Sequence, residues 1–571
     1  MLQRPILYII IFAMENSNNA IFAPTQLWKD YDPSAEPLRP SYLEFQETDN
    51  YYSVAVYING DKYDNSYIRI YMYGYVPKQT TLNTNIIFIN DVMDKTFSVD
   101  NLKAYADAGY GVFTFDYIGK TNLHGHYTIY PKEVAYANYA QSGSHLTHAI
   151  PTAKDTSFFV WDKVCMKVIA SIKQLRGDDC KIILSGYKTG ADIALQVAAI
   201  DKRVDAVASF LNLGWKDYRN YPKLAEDLHM PIDDERKRWL VGAATESYLK
   251  FIKCPLLCVT TTNCSITSLD RIPDSVNILK GNRVPFALSV ISGLSDSISF
   301  RARSLLYGWV SSLSQNKKLP KNPDVDFKTD KLGNVIVNAT IDKSLDIEDI
   351  IINYSYDELD STLRSWSSKY LNVDDLKTTL PIYDETQIVF AYVTVNYKNG
   401  ISLSSTLKHF VIQPDAQLIK SAIKKTRIIF QKNMGIDDWL VEIVGSMFQF
   451  YEPQIVQGPL NLYGITCEKG NLATYSIGSY KLKSITQNLL QFDACAETDR
   501  QLIIQVCSGT YGMYKTYTAK IKLEANKWKK CSLKLFDFKD DNLVPLKTWR
   551  DVKKLAFLDA NGVLLNNIIW V

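Results

Sequence analysis

Residues 181–199, KIILSGYKTGADIALQVAA, set two glycines four positions apart around a lysine: Gly186 and Gly190 flank Lys188. An apolar, β-rich run enters the stretch and a helix-spaced run leaves it, so it reads as strand, sharp turn, helix. A turn of this spacing lifts its middle side chain clear of a sheet, where a serine would attack an acyl carbon. With lysine there, other chemistries open. A neutral amine could attack as a nucleophile if an apolar pocket or a second cation brought its pKa far below about 10.4. A protonated amine at a helix N-terminus could hold an anion such as a carboxylate-bearing sugar. Or the ammonium could pair with a neighbouring carboxylate and do no chemistry.

The elements that must position this turn follow from the rhythm around it. Residues 52–76 hold two alternating runs about a polar turn and read as an antiparallel pair. Short apolar runs then recur at 85–91, 111–117, 181–186, 204–211, 255–260 and 286–292, separated by stretches with helical spacing. Buried strands alternating with helices predict a mostly parallel sheet covered on both faces, over residues 25–317. The polar stretch SQNKKLPKNPD (314–324) reads as a linker. Beyond it the alternation is all β, predicting an immunoglobulin-like sandwich over 322–413 and a jelly roll over 418–571.

Bulk composition fits this multidomain reading. The chain has 571 residues, 46% of them hydrophobic. With 64 basic and 61 acidic residues the net charge is +3, which gives no reason to expect a nucleic-acid partner. Nine scattered cysteines without a CxxC pair suit reduced, buried thiols and a cytoplasmic location. Residues 1–16 carry one arginine and an apolar run too short to span a bilayer. Export by a weak signal there, or a start at Met14, are the alternatives.

The segments FTFDYIGK, HYTIYPKEVAYANY, KIILSGYKTGADIAL and DKRVDAVASFLNLGW together resemble the α/β-hydrolases of the acetyl xylan esterase and dipeptidyl-peptidase-like type, whose bacterial members often carry β-domains. The C-terminal stretch from "NKWKKCSLKLFDF" to "NNIIW" is similar to jelly-roll carbohydrate-binding modules. The resemblance implies a serine, an acid and a histidine in that chain order. It puts Lys188 at the nucleophile, Asn263–Cys264 at the acid, and Ser295–Asp296 at the histidine. It puts Asp91–Val92 at the oxyanion hole, where a carboxylate would oppose a developing negative charge. Asp270 could supply the acid only if its loop folds back. Asp91 and Asp296 are then the carboxylates nearest Lys188. Every triad position departs from the pattern. The expectation is a pseudo-esterase acting as a binding or scaffolding protein, with a carbohydrate or an anionic small molecule as partner. The alternative is an active esterase or peptidase using other residues, such as Cys264 with one of His124, His126, His145 or His148.

Other features are weaker. His124-Gly125-His126 lacks a third metal ligand. DVDFKTDKLG (324–333) spaces aspartates like a calcium loop but lacks its glycine and glutamate, and reads as a strand entry. No cofactor is implied beyond a structural calcium in the jelly roll. Tyr511, Tyr514, Tyr517 and Trp549 are the candidates for stacking on sugar rings, while Trp528 and Trp570 fit core positions.

Overall fold

The computed structural model describes residues 20–79, 82–93, 102–121, 125–225, 229–293, 296–443, 451–483, 489–510 and 513–571. Among these, the first sheet has nine strands in the order β1-β2-β3-β5-β4-β6-β7-β8-β9. They are β1 (Ser41–Glu47), β2 (Tyr51–Tyr63), β3 (Ser66–Pro77), β4 (Thr84–Ile89), β5 (Gly111–Phe115), β6 (Lys181–Tyr187), β7 (Ala206–Phe210), β8 (Leu256–Thr261) and β9 (Phe286–Ile291). From β1 to β5 neighbours run antiparallel, and from β5 to β9 they run parallel. Setting aside the extra edge strand β1, this is the strand order of the α/β-hydrolase fold. Strands β4, β5, β7 and β8 are buried along their whole length, because helices cover both faces and leave no wet side.

Helices α1 (Ser157–Arg176), α2 (Thr189–Ile200), α3 (Ile272–Gly281) and α4 (Phe300–Ser314) pack on this sheet. Thr156 caps α1 by accepting from the Phe159 N–H, and Gly177 ends it at φ +94°. No described helix is long and apolar enough to cross a membrane. None of the nine cysteines is in a disulfide.

The middle region is an immunoglobulin-like sandwich. One sheet orders β10 (Asp324–Thr329), β11 (Val335–Thr340) and β14 (Lys377–Leu380). The other orders β13 (Ser367–Leu371), β12 (Ile347–Tyr356), β15 (Ile388–Tyr397) and β16 (Ser402–Ser404), with β17 (Lys408–Val411) also on β15. The stretch 314–324 is no free tether. Asn322 accepts from the Leu288 N–H and donates to the Phe286 carbonyl, 3.1 Å each, so it covers the open edge of β9.

The C-terminal region pairs its strands as two sheets. One holds β20 (Gln454–Gln457), β21 (Tyr463–Thr466), β28 (Val563–Trp570), β23 (Leu489–Ala496) and β26 (Lys529–Lys534), with β18 (Ile428–Phe430) also on β28. The other holds β19 (Leu440–Glu442), β22 (Asn471–Thr474), β27 (Val552–Leu558), β24 (Arg500–Ser508) and β25 (Lys515–Leu523). The first strand pairs with the last, β18 with β28, and the returning C-terminal strands insert between earlier ones, β28 between β21 and β23 and β27 between β22 and β24, as in a jelly roll.

Candidate functional site

The turn after β6 keeps the geometry of a nucleophile elbow. Lys188 has φ +52° and ψ −109°, a region that side chains other than glycine rarely adopt. The glycines are required by close approach. A Cβ on Gly186 would lie 2.3 Å from the Gly190 carbonyl oxygen, and one on Gly190 would lie 2.1 Å from that of Ile89. The Lys188 N–H donates to the Phe210 carbonyl (3.0 Å), and Asn212 Nδ2 donates to the Lys188 carbonyl (3.1 Å). Strands β4, β6 and β7 therefore hold the turn in its strained form.

The side chain at the tip is only 7% exposed. The expected ion pair with Asp91 or Asp296 does not form: among the described residues no carboxylate lies within ion-pair distance of Lys188, and its ammonium sits 5.2 Å from the Tyr187 ring centroid. Both carboxylates are engaged elsewhere. Asp91 Oδ1 accepts from the Thr189 N–H at 3.2 Å. Thr189 follows the elbow residue, so its N–H is one of the two donors of an oxyanion hole in this fold. A carboxylate of the chain already occupies it. Asp296 accepts from both the N–H (2.7 Å) and the hydroxyl (2.5 Å) of Ser265, and its carbonyl accepts from Tyr187. The loops after β8 and β9 thus meet beside the elbow, as acid and histidine loops would, but they bind each other.

Cys264 cannot serve as a ready nucleophile. It is 1% exposed, its thiol donates to the Leu211 carbonyl (3.4 Å), and burial, then the charge of Asp296, pushes its pKa up to about 12. Among the described residues no histidine contact reaches it. The His126 ring stacks on Tyr71, His145 bonds the Asp155 carbonyl and stacks on Tyr136, His148 faces Thr147 and Asp233, and His409 lies on β17. His229 is exposed. His124 and Ser295 lie outside the described residues.

Asn263 and Asp270 take roles other than the expected acid, and Arg364 and Lys216, not singled out in the sequence, matter beside them. Asn263, at the acid position, turns away from the elbow and donates to the carbonyls of Thr362 (3.1 Å) and Arg364 (2.9 Å) in the immunoglobulin-like sandwich. Asp270 folds back on no histidine. It takes a two-pronged bond from Arg364, at 2.8 and 2.9 Å, with both side chains buried. Lys216 brings a second cation to the first turn of α2, 3.4 Å from Thr189 Oγ1 and from Asp192 Oδ2. Only the glycine spacing of the elbow carries a sequence signal; these partners lie far apart in the chain and have none.

The proposed sugar-stacking aromatics also sit differently. Trp549 is 3% exposed and packs against Phe538 and Trp570, so it is core. The Tyr514 hydroxyl donates to Glu358 of the middle sandwich, which makes it a seam residue. Tyr517 is half-buried against the jelly-roll core, and Tyr511 lies outside the described residues. Trp570 is buried as expected, whereas Trp528 is half-buried with its Nε1 donating to the Pro459 carbonyl.

No family model and no curated protein sequence matches the chain. Solved structures do. An acetyl xylan esterase from Thermoanaerobacterium sp. overlaps at a TM-score of 0.37 with 14% identity, over 52% of this chain and 96% of that one. An acetyl xylan esterase from Paenibacillus sp. R4 gives 0.36 and 12%, over 49% and 90%. A puromycin-hydrolyzing peptidase from Mycobacterium tuberculosis gives 0.34 and 14%, over 47% and 40%. The α/β-hydrolase-like fold stands on the strand order and the elbow geometry described above.

Proposed function

We propose that this chain is a catalytically degenerate α/β-hydrolase, retained as a binding or scaffolding protein. One observation carries the reading: the elbow is built in full, yet the groups around it are committed to holding the fold. A hydrolytic cycle needs a nucleophile, a base within reach of it and a free oxyanion hole. Here the tip is an ammonium, the oxyanion N–H of Thr189 is bonded to Asp91, and Asp296 is bonded to Ser265. The loop that would carry the acid grips the neighbouring sandwich instead, through Asn263 and Asp270. That use of a catalytic loop as a joint favours a scaffold over a variant enzyme.

The test is hydrolysis of an aryl acetate by the purified full chain beside its Lys188→Ala and Cys264→Ala variants. Rates at the buffer background for all of them are expected. Turnover above background that disappears in either variant overturns the reading and identifies the group responsible.

A further inference from the structure

A large cleft among the described residues does not include Lys188 in its lining. It measures about 1050 Å3 and opens where the three regions meet. Its floor is the outer face of the β13-β12-β15-β16 sheet. One wall carries Gly293 just after β9 and Phe300 and Arg301 at the start of α4, and the other is the jelly roll, with Asp437, Asp438 and Lys481. The volume sits at the upper end of small-ligand sites, which run to roughly 1,000 Å3.

We propose that this cleft binds a neutral oligosaccharide. The inference rests on the reading of the chain as a binding protein and makes no use of Lys188. Charge comes first. Five carboxylates and five cationic side chains line the cleft, and Glu358 and Lys553 among them pair at 2.8 Å. Such balance offers no net attraction to an anion or a cation. Next comes the floor. Where a closed sheet face would carry aliphatic residues, this one presents Asn353, Thr394, Asn396 and Ser402, amides and hydroxyls that suit vicinal diols.

Asn353 is the most informative of these. It is 3% exposed. One end of its amide accepts from the Ser368 hydroxyl at 2.7 Å, and among the described residues the other end has no protein partner. That other end, Nδ2, is open to solvent at the cleft, so it is a donor available to a ligand hydroxyl. Asn396 differs: its amide donates to Asp349 (2.6 Å) and accepts from Ser402 (2.7 Å), so it is held rigid. Lastly, Tyr370 stands on β13 across from Ile351 and is 72% exposed at the cleft. An exposed ring beside amides gives a pyranose both a face for its C–H groups and partners for its hydroxyls.

The experiment is calorimetric titration of the full chain with cello-, xylo-, manno- and laminari-hexaose, and with an oligogalacturonate as the acidic comparison. Sugars are used up to about 1 mM, where a weak site is half filled. Binding of at least one neutral hexaose is expected. Tyr370→Ala, a surface change that leaves the fold intact, and Asn353→Ala should each weaken it roughly tenfold, the scale of one or two lost hydrogen bonds or a lost ring contact. Tyr517→Ala in the jelly roll should leave it unchanged. The proposal fails if no neutral hexaose binds, if only the oligogalacturonate does, or if binding follows Tyr517 and ignores Tyr370. An aryl-acetate activity would sink the non-catalytic reading without touching these outcomes.

Discussion

At the residue scale, Lys188 separates geometry from chemistry. Its backbone keeps a conformation that costs roughly 1–3 kcal/mol, and no catalytic return for that cost is visible around it. Glycine adopts φ +52° without strain, whereas alanine keeps the strain and also loses the buried stem. Lys188→Gly should therefore be more stable than Lys188→Ala by about 1–2 kcal/mol in urea unfolding. Equal stabilities would mean the turn has relaxed. Asp116 supplies a second prediction. It is buried just beyond β5, and its Oδ2 accepts from the N–H groups of Gly119 (3.0 Å) and Thr128 (2.7 Å). Burial outweighs those bonds and pushes its pKa up to about 7. The folded state thus holds the proton more tightly than the unfolded one. Stability from this group is full below about pH 4, falls as pH rises, and is gone above about pH 7, a span of roughly 4 kcal/mol. Asp116→Asn keeps one oxygen for both N–H groups, so it should flatten the loss between about pH 4 and pH 7. An unchanged pH slope would assign the titration elsewhere.

At the element scale, the segment 357–366 knits the molecule. Tyr480 bonds Asp357, Tyr514 and Lys553 bond Glu358, Ser268 meets Ser361, and Arg364 reaches Asp270. The Arg364 guanidinium also stacks 3.6 Å from the Phe390 ring centroid. Removing one member of a buried pair strands the other charge, so Arg364→Met should cost about 3–5 kcal/mol. Arg364→Met with Asp270→Leu should recover most of that, because no charge is left buried. A single-variant loss under about 1 kcal/mol would place the pair in solvent. Much at this scale was legible in the sequence and some was not. The unbroken apolar runs of β4 and β8 announced a covered parallel sheet, and Gly186 and Gly190 announced the elbow. Alternation in a sandwich strand does not say which face meets a neighbouring sandwich. Tyr514 and Trp549 therefore read as surface candidates but belong to a seam and a core. Nor does spacing reveal that Asn263 points away from the elbow, since its partners lie about a hundred positions on.

At the scale of the whole molecule, the hydrophobic cores do not divide as the three regions do. One core runs from Ile87, Leu184 and Leu256 of the first sheet to Phe390 and Tyr392 of the middle sandwich. A second runs from Ile183 and Val259 to Val337, Ile352 and Val393. The main jelly-roll core holds only residues between Ile429 and Trp570, and it meets the rest through a small cluster of Leu363 with Leu440, Tyr475 and Ala556. Shared cores predict shared folding, because each severed half exposes apolar surface worth about 25 cal/mol per Å2. Residues 418–571 expressed alone should be monomeric, with a cooperative thermal transition. Residues 1–317 alone should aggregate or bind a hydrophobic dye, and residues 1–413 should restore solubility. A soluble, cooperatively folding 1–317 would show that the hydrolase-like sheet is self-sufficient. Its grip on the sandwich through Asn263 and Asp270 would then be a docking contact between finished domains rather than part of one fold.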